Sequence, residues 1–403
     1  MRDPSRVRVS GPLEPFAAGF AAELSRQGFT PGSACKQLTL FAHLSRWLAT
    51  EGLEPGALSP ELAERFCEAR RAAGYTQLLT AKALSAPLAY LRGLGVAPPA
   101  CTPVRVGPVE ELLGRFGGHL ERERGLARAT ARRHVALVRP FLERFAGPDG
   151  VELGRLDALA VRAFVLELCP RQSRSATKRA VGALRALLCY LHLEGELERS
   201  LLDAAPSVAS WRLSGLPKRL ESEQVQSLLA ACKRETPAGL RDFAILTVLW
   251  RMGLRAGEVA ALSLDDINWR AGEILVRGKG PTFERMPLPC DVGEAVADYL
   301  RAGRPASAAG RTVFVRVRAP HRMLSATGVS QIVAAAARRA GLGTVHAHRL
   351  RHTAASEMLR AGAGLPEIGQ ALRHRHALST AIYAKVDRET LRTIARPWPE
   401  ALA

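Results

Sequence analysis

Basic side chains recur in the second half of this 403-residue chain at spacings that could assemble one site for phosphate chemistry. Arg255 follows Gly253, a residue type that ends helices, and Glu258 lies three residues on, close enough on a helix to orient the guanidinium. Lys279 stands between two glycines with strand-like runs on both sides, which predicts a hairpin with this lysine at its tip. Alone, either feature is usually a solvated surface group, so the prediction depends on their combination.

A second group of candidates follows along the chain. His348, Arg351 and His352 stand at i, i+3 and i+4, so they share one face of a predicted helix. Two histidines and an arginine without a nearby carboxylate indicate a surface that binds anions. His374 and Tyr383 come next, nine residues apart, and Tyr383 is one of only five tyrosines in the chain.

A metal site is the alternative interpretation of the histidines. No Cys, Asp or Glu stands at ligand spacing near them, and the interleaved arginines would repel a cation. We therefore predict no metal and no other cofactor. The histidines that this alternative would use are His346, His348, His352, His374 and His376.

The elements that position these residues form a mixed, mostly helical α/β domain. Strand-like runs over residues 273–277 and 311–316 alternate with long helical stretches. Before this domain the pattern is helical throughout, with apolar residues at helical spacing and Pro-rich linkers. The predicted segments are a tail at 1–12, helical domains at 13–100 and 108–205, a linker at 206–217, the α/β domain at 218–390 and a C-terminal tail at 391–403.

The two helical domains resemble each other. Lys36 matches Arg133 at an offset of 97, and the offset drifts to 98 and then 100 further along, as short insertions in loops would produce. Amphipathic helices rich in Ala, Leu and Arg look alike, but aligned glycines, caps and tyrosines in the same order favour a duplication. The matched pairs include Gly28 with Gly125, Phe66 with Phe164, Leu84 with Leu184, and Tyr90 with Tyr190.

Composition restricts the partners. The chain has 57 Lys and Arg against 38 Asp and Glu, a net charge of +19, which favours nucleic acid as a partner over a membrane surface. A GC-rich genome would also raise the arginine content, so the charge is supporting evidence only. The seven cysteines form no Cys-x-x-Cys pair, and neither a spanning segment nor a signal peptide is visible. We predict a soluble cytoplasmic protein, associated with the nucleoid.

In this order, the motifs resemble those of the tyrosine recombinase (phage integrase) family, over about residues 218–390 in detail. The helical domain at 108–205 resembles the family's core-binding, SAM-like domain, which clamps DNA. The domain at 13–100 would then be a second clamp of the same kind. The predicted fold class is mainly α with a small β component: helical clamp domains followed by a mixed α/β catalytic domain.

The resemblance implies a role for each motif residue. Arg255 and Arg351 would grip the scissile phosphate, with Glu258 as structural support. Lys279 would protonate the leaving 5′ oxygen. His348 would take the proton of Tyr383, His374 would donate a further hydrogen bond to the phosphate, and Tyr383 would be the nucleophile that forms a 3′-phosphotyrosine.

One position departs from the family pattern. The family usually has Leu-Gly-His before the tyrosine, whereas this chain has Leu372-Arg373-His374. Without glycine, a left-handed residue has an energetic cost, so we expect the helix junction to differ there. The residues predicted to contact DNA are Lys36, Arg133, Arg373, Arg375 and His376.

The predicted function is site-specific DNA recombination for integration, excision or transposition of a mobile element, with no metal or ATP. The resemblance implies double-stranded DNA as partner and a tetramer on two duplexes, coupled through the tail after the tyrosine. It does not indicate whether accessory proteins take part. Two alternatives stay open: a catalytically idle, sequence-specific DNA-binding protein, and a relaxing enzyme like the type IB topoisomerases.

Overall fold

The computed structural model describes residues 3–100, 106–147, 150–208, 219–278, 283–374, 376 and 379–386. The described chain is mostly helical with one small sheet, and the predicted fold class is confirmed. It forms two compact units, one of Met1–Ala100 with Gly215–Ala403 and one of Cys101–Ser214. None of the described helices is long and apolar enough to cross a membrane.

The N-terminal segment folds as four helices around its own apolar core. The helices are α1 (Ala17–Arg26), α2 (Pro31–Thr50), α3 (Pro60–Ala72) and α4 (Ser85–Gly93). Thr30 and Ser59 cap α2 and α3 by accepting backbone N–H groups of the first turn, and a proline opens each of these helices. Phe20, Phe41 and Phe66 are buried in the core.

The second unit repeats this plan. Its helices are α5 (Pro108–Arg122), α6 (Arg128–Leu142), α7 (Ala158–Arg171) and α8 (Arg174–Leu193). Asp157 caps α7 in the place where Ser59 caps α3. Gly95 and Gly195 follow α4 and α8 with φ of +71° and +74°. After each glycine, the backbone N–H groups of the next two residues donate to the carbonyl of the leucine four residues before that glycine.

The C-terminal segment contains the remaining helices and the sheet. Its helices are α9 (Ser222–Ala230), α10 (Pro237–Arg251), α11 (Ala256–Ala261), α12 (Cys290–Asp298), α13 (Ala326–Arg339), α14 (Ala347–Arg360) and α15 (Leu365–Ala371). A short 3-10 segment, Ala381–Val386, follows α15. Helix α10 is central: it packs on α11, α12, α13 and α14, and Trp250 at its end donates to Glu357 of α14 at 2.8 Å.

The sheet is antiparallel in the order β1 (Ile267–Asn268), β2 (Glu273–Arg277), β3 (Phe283–Pro287). Strands β2 and β3 pair from Glu273 with Pro287 to Arg277 with Phe283. In the chain, Lys279 stands between β2 and β3, within residues 279–282, which lie outside the described residues.

The strand predicted over 311–316 was wrong. This segment forms only isolated bridges, Ser263 with Thr312 and Val315 with Met323. Val313 and Phe314 are fully buried in the core of the domain, so the apolar run is an irregular core segment. A short apolar run does not by itself distinguish a strand from other buried backbone.

Candidate active site

Arg255 is held at the start of α11. Gly253 lies in the junction before it with φ of +58°, and a Cβ there would approach Leu372 Cδ2 to 2.5 Å, so this turn favours glycine. Glu258 accepts hydrogen bonds from Arg255 Nη1 at 2.7 Å and from the Arg255 backbone N–H at 2.8 Å. The guanidinium is therefore oriented, and the Arg255 side chain is still 42% exposed.

Glu258 also pairs with a second arginine. Arg373 Nη2 lies 2.7 Å from Glu258 Oε2, with both side chains almost fully buried. Burial would raise the pKa of Glu258, but the hydrogen bond from the Arg255 backbone and the charges of Arg373 and Arg255 outweigh it and hold the pKa below its ordinary value. The carboxylate is charged and links two arginines.

One expectation for Arg373 was wrong. Its φ is +55°, so the junction keeps the left-handed residue even without glycine. Its guanidinium is buried in an ion pair with Glu258, and the residue also lines the groove described below, so its contact with DNA stays a prediction. The Arg373 carbonyl accepts a hydrogen bond from Arg255 Nη2 at 3.2 Å, which joins the two junctions.

Arg351 lies beneath these junctions and is 1% exposed. Its Nη1 donates to the Gly253 carbonyl at 2.5 Å and its Nη2 donates to the Leu372 carbonyl. Burial and the neighbouring charge of Arg255 lower its pKa to about 10, so it remains cationic at neutral pH. The two hydrogen bonds of Arg351 therefore connect the turn before α11 to the end of α15.

Tyr383 is 1% exposed and lies on the 3-10 segment beside α14. Its hydroxyl is 2.9 Å from Nδ1 of His352. Burial raises the pKa of Tyr383 to about 12, although Arg351 acts in the opposite direction. The phenol is therefore protonated in the free protein.

His374 and His348 flank this pair. The His374 ring stacks parallel to that of Tyr383 at 6.4 Å, and its Nδ1 is 2.7 Å from Thr380 Oγ1. Burial and the charges of Arg351 and Arg255 lower the pKa of His374 to about 4. His348 is exposed, and its ring meets the His352 ring edge-on at 4.4 Å. Desolvation, with Arg351 second, lowers the His348 pKa as well.

A groove with a volume of about 1230 Å³ opens at this cluster. The β2–β3 hairpin contributes Val276, Gly278 and Glu284 to its wall. Other lining residues include Arg255, Gln370, His374, His376 and Thr380. The strand ends that flank Lys279 thus border the groove.

Comparison with known proteins identifies the family. Residues 218–390 match the phage integrase family model, and residues 113–195 match the model of the phage integrase N-terminal SAM-like domain. A Sinorhizobium fredii protein named "Putative integrase/recombinase y4rA" is 39% identical over 393 residues, 96% of this chain and 95% of that protein. The chain belongs to the phage integrase family of tyrosine recombinases.

This recombinase is thereby a DNA strand transferase. A Pelobacter propionicus tyrosine recombinase, XerC, is 31% identical over 70% of this chain and 93% of its own length. Among solved structures, a lambda integrase tetramer bound to a Holliday junction matches with a TM-score of 0.55, over 78% of this chain and 87% of that chain. The XerH recombinase bound to its difH substrate matches with a TM-score of 0.53, over 80% of this chain and 91% of that chain. At 17% identity each, these two show the same fold.

The tyrosine recombinase brings most of the predicted site residues together. Arg255, Arg351, His348, His374 and Tyr383 form one cluster, joined by the contacts above. Exposed His376 lines the groove, whereas Lys36 and Arg133 are exposed on α2 and α6, away from it in the chain. Lys279, Arg375 and the tail at 391–403 lie outside the described residues.

The sequence alone does not predict two contacts in the recombinase. It places His352 on the face of His348 and Arg351 without assigning it a role, although His352 is the histidine within hydrogen-bond distance of Tyr383. Its i+4 spacing from His348 was the available signal. Thr380, which positions His374, carried no signal. Within the described ranges, no three His, Cys, Asp or Glu side chains come together as metal ligands.

Proposed function

We propose that the protein is a site-specific recombinase that cuts and rejoins DNA through a 3′-phosphotyrosine made by Tyr383. The observation that carries this proposal is the placing of a buried phenol against His352, 2.9 Å away, within a cluster that holds Arg255 and Arg351. A tyrosine buried only for packing would not need arginines and histidines clustered around its hydroxyl.

The two arginines would hold the non-bridging oxygens of the scissile phosphate. Planar guanidinium groups donate paired hydrogen bonds to phosphate and stay charged at working pH, so they stabilise the charge that develops at phosphorus. Glu258 keeps Arg255 in position. His374, neutral and oriented by Thr380, would donate a further hydrogen bond.

In the cleavage step, the Tyr383 oxygen bonds to phosphorus and the bond from phosphorus to the 5′ oxygen breaks. The 5′ oxygen leaves as a hydroxyl after it receives a proton, which the family resemblance assigns to Lys279. Rejoining reverses these steps with another 5′ hydroxyl. Because the phosphodiester is exchanged and not hydrolysed, we propose that no ATP is needed, and because the two arginines would neutralise the charge at phosphorus, we propose that no metal ion takes part.

We propose that both helical domains clamp DNA and that the protein acts as a tetramer on two duplexes. The shared helix order of α1–α4 and α5–α8, the aligned caps of α3 and α7, and the exposure of Lys36 and Arg133 on equivalent helices support a duplicated clamp. The lambda integrase match, a tetramer on a Holliday junction, supports the assembly. The α1–α4 segment would lengthen the bound DNA on each side.

We propose that the biological role is integration, excision or transposition of a mobile element. The integrase/recombinase relative from Sinorhizobium fredii spans 96% of this chain, including the α1–α4 segment. The XerC relative aligns over 93% of its own length yet spans only 70% of this chain. The integrase-named relative thus shares the length of this chain, and so does a XerH recombinase structure that covers 98% of it, so the proposal follows the sequence identity of the former.

Covalent trapping tests the proposed chemistry. Wild-type protein and Tyr383→Phe are incubated in EDTA with a pool of nicked duplexes from the DNA that flanks the gene, then run on a denaturing gel. We expect a protein–DNA adduct with wild type, none with Tyr383→Phe, and equal binding by both. An adduct in Tyr383→Phe would exclude this nucleophile. Absence of adduct in wild type, despite specific binding, would favour the catalytically idle binding protein.

A further inference from the structure

The nucleophile's hydroxyl contacts one histidine directly. Tyr383 Oη lies 2.9 Å from His352 Nδ1, and the two rings meet edge to face at 63° with centroids 5.6 Å apart. His352 follows Arg351 directly on α14, and Tyr383 lies on Ala381–Val386 packed against that helix. The contact is thus fixed by the packing of two elements.

The other two histidines of the cluster are placed differently. The His374 ring stacks parallel to the phenol at 6.4 Å and 5°, and its Nδ1 bonds Thr380, so this ring nitrogen is already engaged elsewhere. His348 is exposed and meets the edge of the His352 ring, not the phenol. Within the described part of the chain, His352 is therefore the histidine best placed to exchange a proton with Tyr383.

The charges around His352 keep it neutral. Burial, then His348 and Arg351, lower its pKa to about 4, so a ring nitrogen carries a free lone pair at neutral pH. The titratable and charged groups that face it are His348 and Arg351 on its own helix, and Tyr383 and His374 from the segments packed against it. Burial raises the pKa of Tyr383, so the phenol is protonated, and with the Nε2–H tautomer of His352 it donates this hydrogen bond to the lone pair of Nδ1.

We propose that His352, and not His348, accepts the Tyr383 proton when the tyrosine attacks the scissile phosphate. The inference rests on the proposed function. As the bond from Tyr383 Oη to phosphorus forms, the O–H bond breaks and its proton moves to His352 Nδ1, while the 5′ oxygen leaves with a proton from its own donor. In rejoining, His352 returns the proton to Tyr383.

The timing of this transfer follows from the same electrostatics. In the free protein the acceptor is too weakly basic to deprotonate the phenol, so the enzyme holds no tyrosinate before DNA binds. A bound phosphodiester brings negative charge into the cluster, which stabilises protonated His352. Transfer is therefore coupled to attack.

The test compares His352→Asn and His352→Gln with the matched variant His348→Asn in the full-length protein. Each is given the nicked site recovered by trapping, and DNA affinity and the rate of adduct formation are measured across pH. We expect both His352 variants to bind DNA within about threefold of wild type and to form adduct about 10²–10⁴-fold more slowly. Their rates should rise about tenfold per pH unit as hydroxide replaces the base, whereas His348→Asn should keep the wild-type profile.

A substrate with sulfur in place of the bridging 5′ oxygen gives a second readout. Sulfur leaves without a proton, so this substrate should not rescue His352→Asn, whose defect is in the attacking group. Rescue by sulfur, a wild-type rate and profile in His352→Asn, or the altered pH profile appearing in His348→Asn would overturn the inference. Wild-type protein that forms no adduct would contradict the proposed function and the inference with it.

Discussion

Arg373 is the residue at which this chain departs most clearly from the family pattern. It occupies a left-handed conformation, which costs a non-glycine residue about 1–2 kcal/mol, and it is held there by its ion pair with Glu258. Its carbonyl also supports Arg255. We propose that it is a positioning residue, whose side chain compensates for the strain of its backbone.

Two substitutions separate the strain from the ion pair. Arg373→Ala loses the pair and keeps the strain, so we expect the free energy of unfolding to fall by about 2 kcal/mol, less than for a fully orphaned buried charge because Glu258 retains Arg255. Arg373→Gly loses the same pair without strain and should be about 1 kcal/mol more stable than Arg373→Ala. Denaturant unfolding measures both. Equal stability of the two variants would mean that the backbone is not strained.

The sequence predicted contacts within one helix better than contacts between elements. The contact of Arg255 with Glu258 follows from a spacing of three residues on α11. The contact of His352 with Tyr383 joins residues 31 apart and exists only because the 3-10 segment packs on α14. The left-handed Arg373 contradicts a local rule, so only the structure could reveal it.

At the scale of elements, α11 depends on one carboxylate at its start. Glu258 accepts the Arg255 backbone N–H and binds the side chains of Arg255 and Arg373. Its pKa is lowered in the folded protein, so the unfolded chain binds more protons as the pH falls through this range. Its contribution to stability is full above the ordinary glutamate pKa and is lost as pH falls through the folded value.

Glu258→Gln tests this dependence. At pH 7 we expect the variant to be about 2–4 kcal/mol less stable, because the buried Arg373 and the partly exposed Arg255 lose their charged partner. The difference in unfolding free energy between wild type and variant should be constant above the ordinary glutamate pKa of 4.5 and should narrow as the pH is lowered from there towards about 3. Denaturant melts at several pH values measure it. A gap that stays constant over this range would show that the carboxylate charge contributes nothing.

The elements themselves were predicted unevenly. Strand β2 lies at the predicted residues 273–277, and the junction at Gly253 separates two helices as expected. The prediction of a strand over 311–316 was wrong because the apolar residues of this segment are buried in a loop. Apolar periodicity reports burial, and the partners of a strand depend on the rest of the chain.

At the scale of the whole molecule, the two helical domains should each contribute to DNA affinity. Lys36 and Arg133 are exposed on α2 and α6, helices that begin after Gly28 and Gly125 with φ of +80° and +59°. If both contact phosphate, each neutralises about one charge and releases its counterion on binding.

Lys36→Gln and Arg133→Gln therefore should each reduce the slope of log affinity against log salt by about one. Arg65→Gln is the matched control, since Arg65 is exposed on α3 but paired with Glu51 at 2.9 Å, and it should leave the slope unchanged. Filter binding over a salt series measures all three. If only Arg133→Gln changed this slope, the DNA clamp would be restricted to the second helical domain, α5–α8.

The central claim, that Tyr383 is the nucleophile and bonds to a 3′ phosphate, is tested most directly by locating the covalent bond. The trapped complex is digested with trypsin and nuclease, and the nucleotide-linked peptide is identified by mass spectrometry. Cleavage after Arg375 and Lys385 places Tyr383 in the peptide His376–Lys385. We predict that this peptide carries the nucleotide, on Tyr383 and through a 3′ phosphate. Attachment to any other residue, or through a 5′ phosphate, would contradict the account.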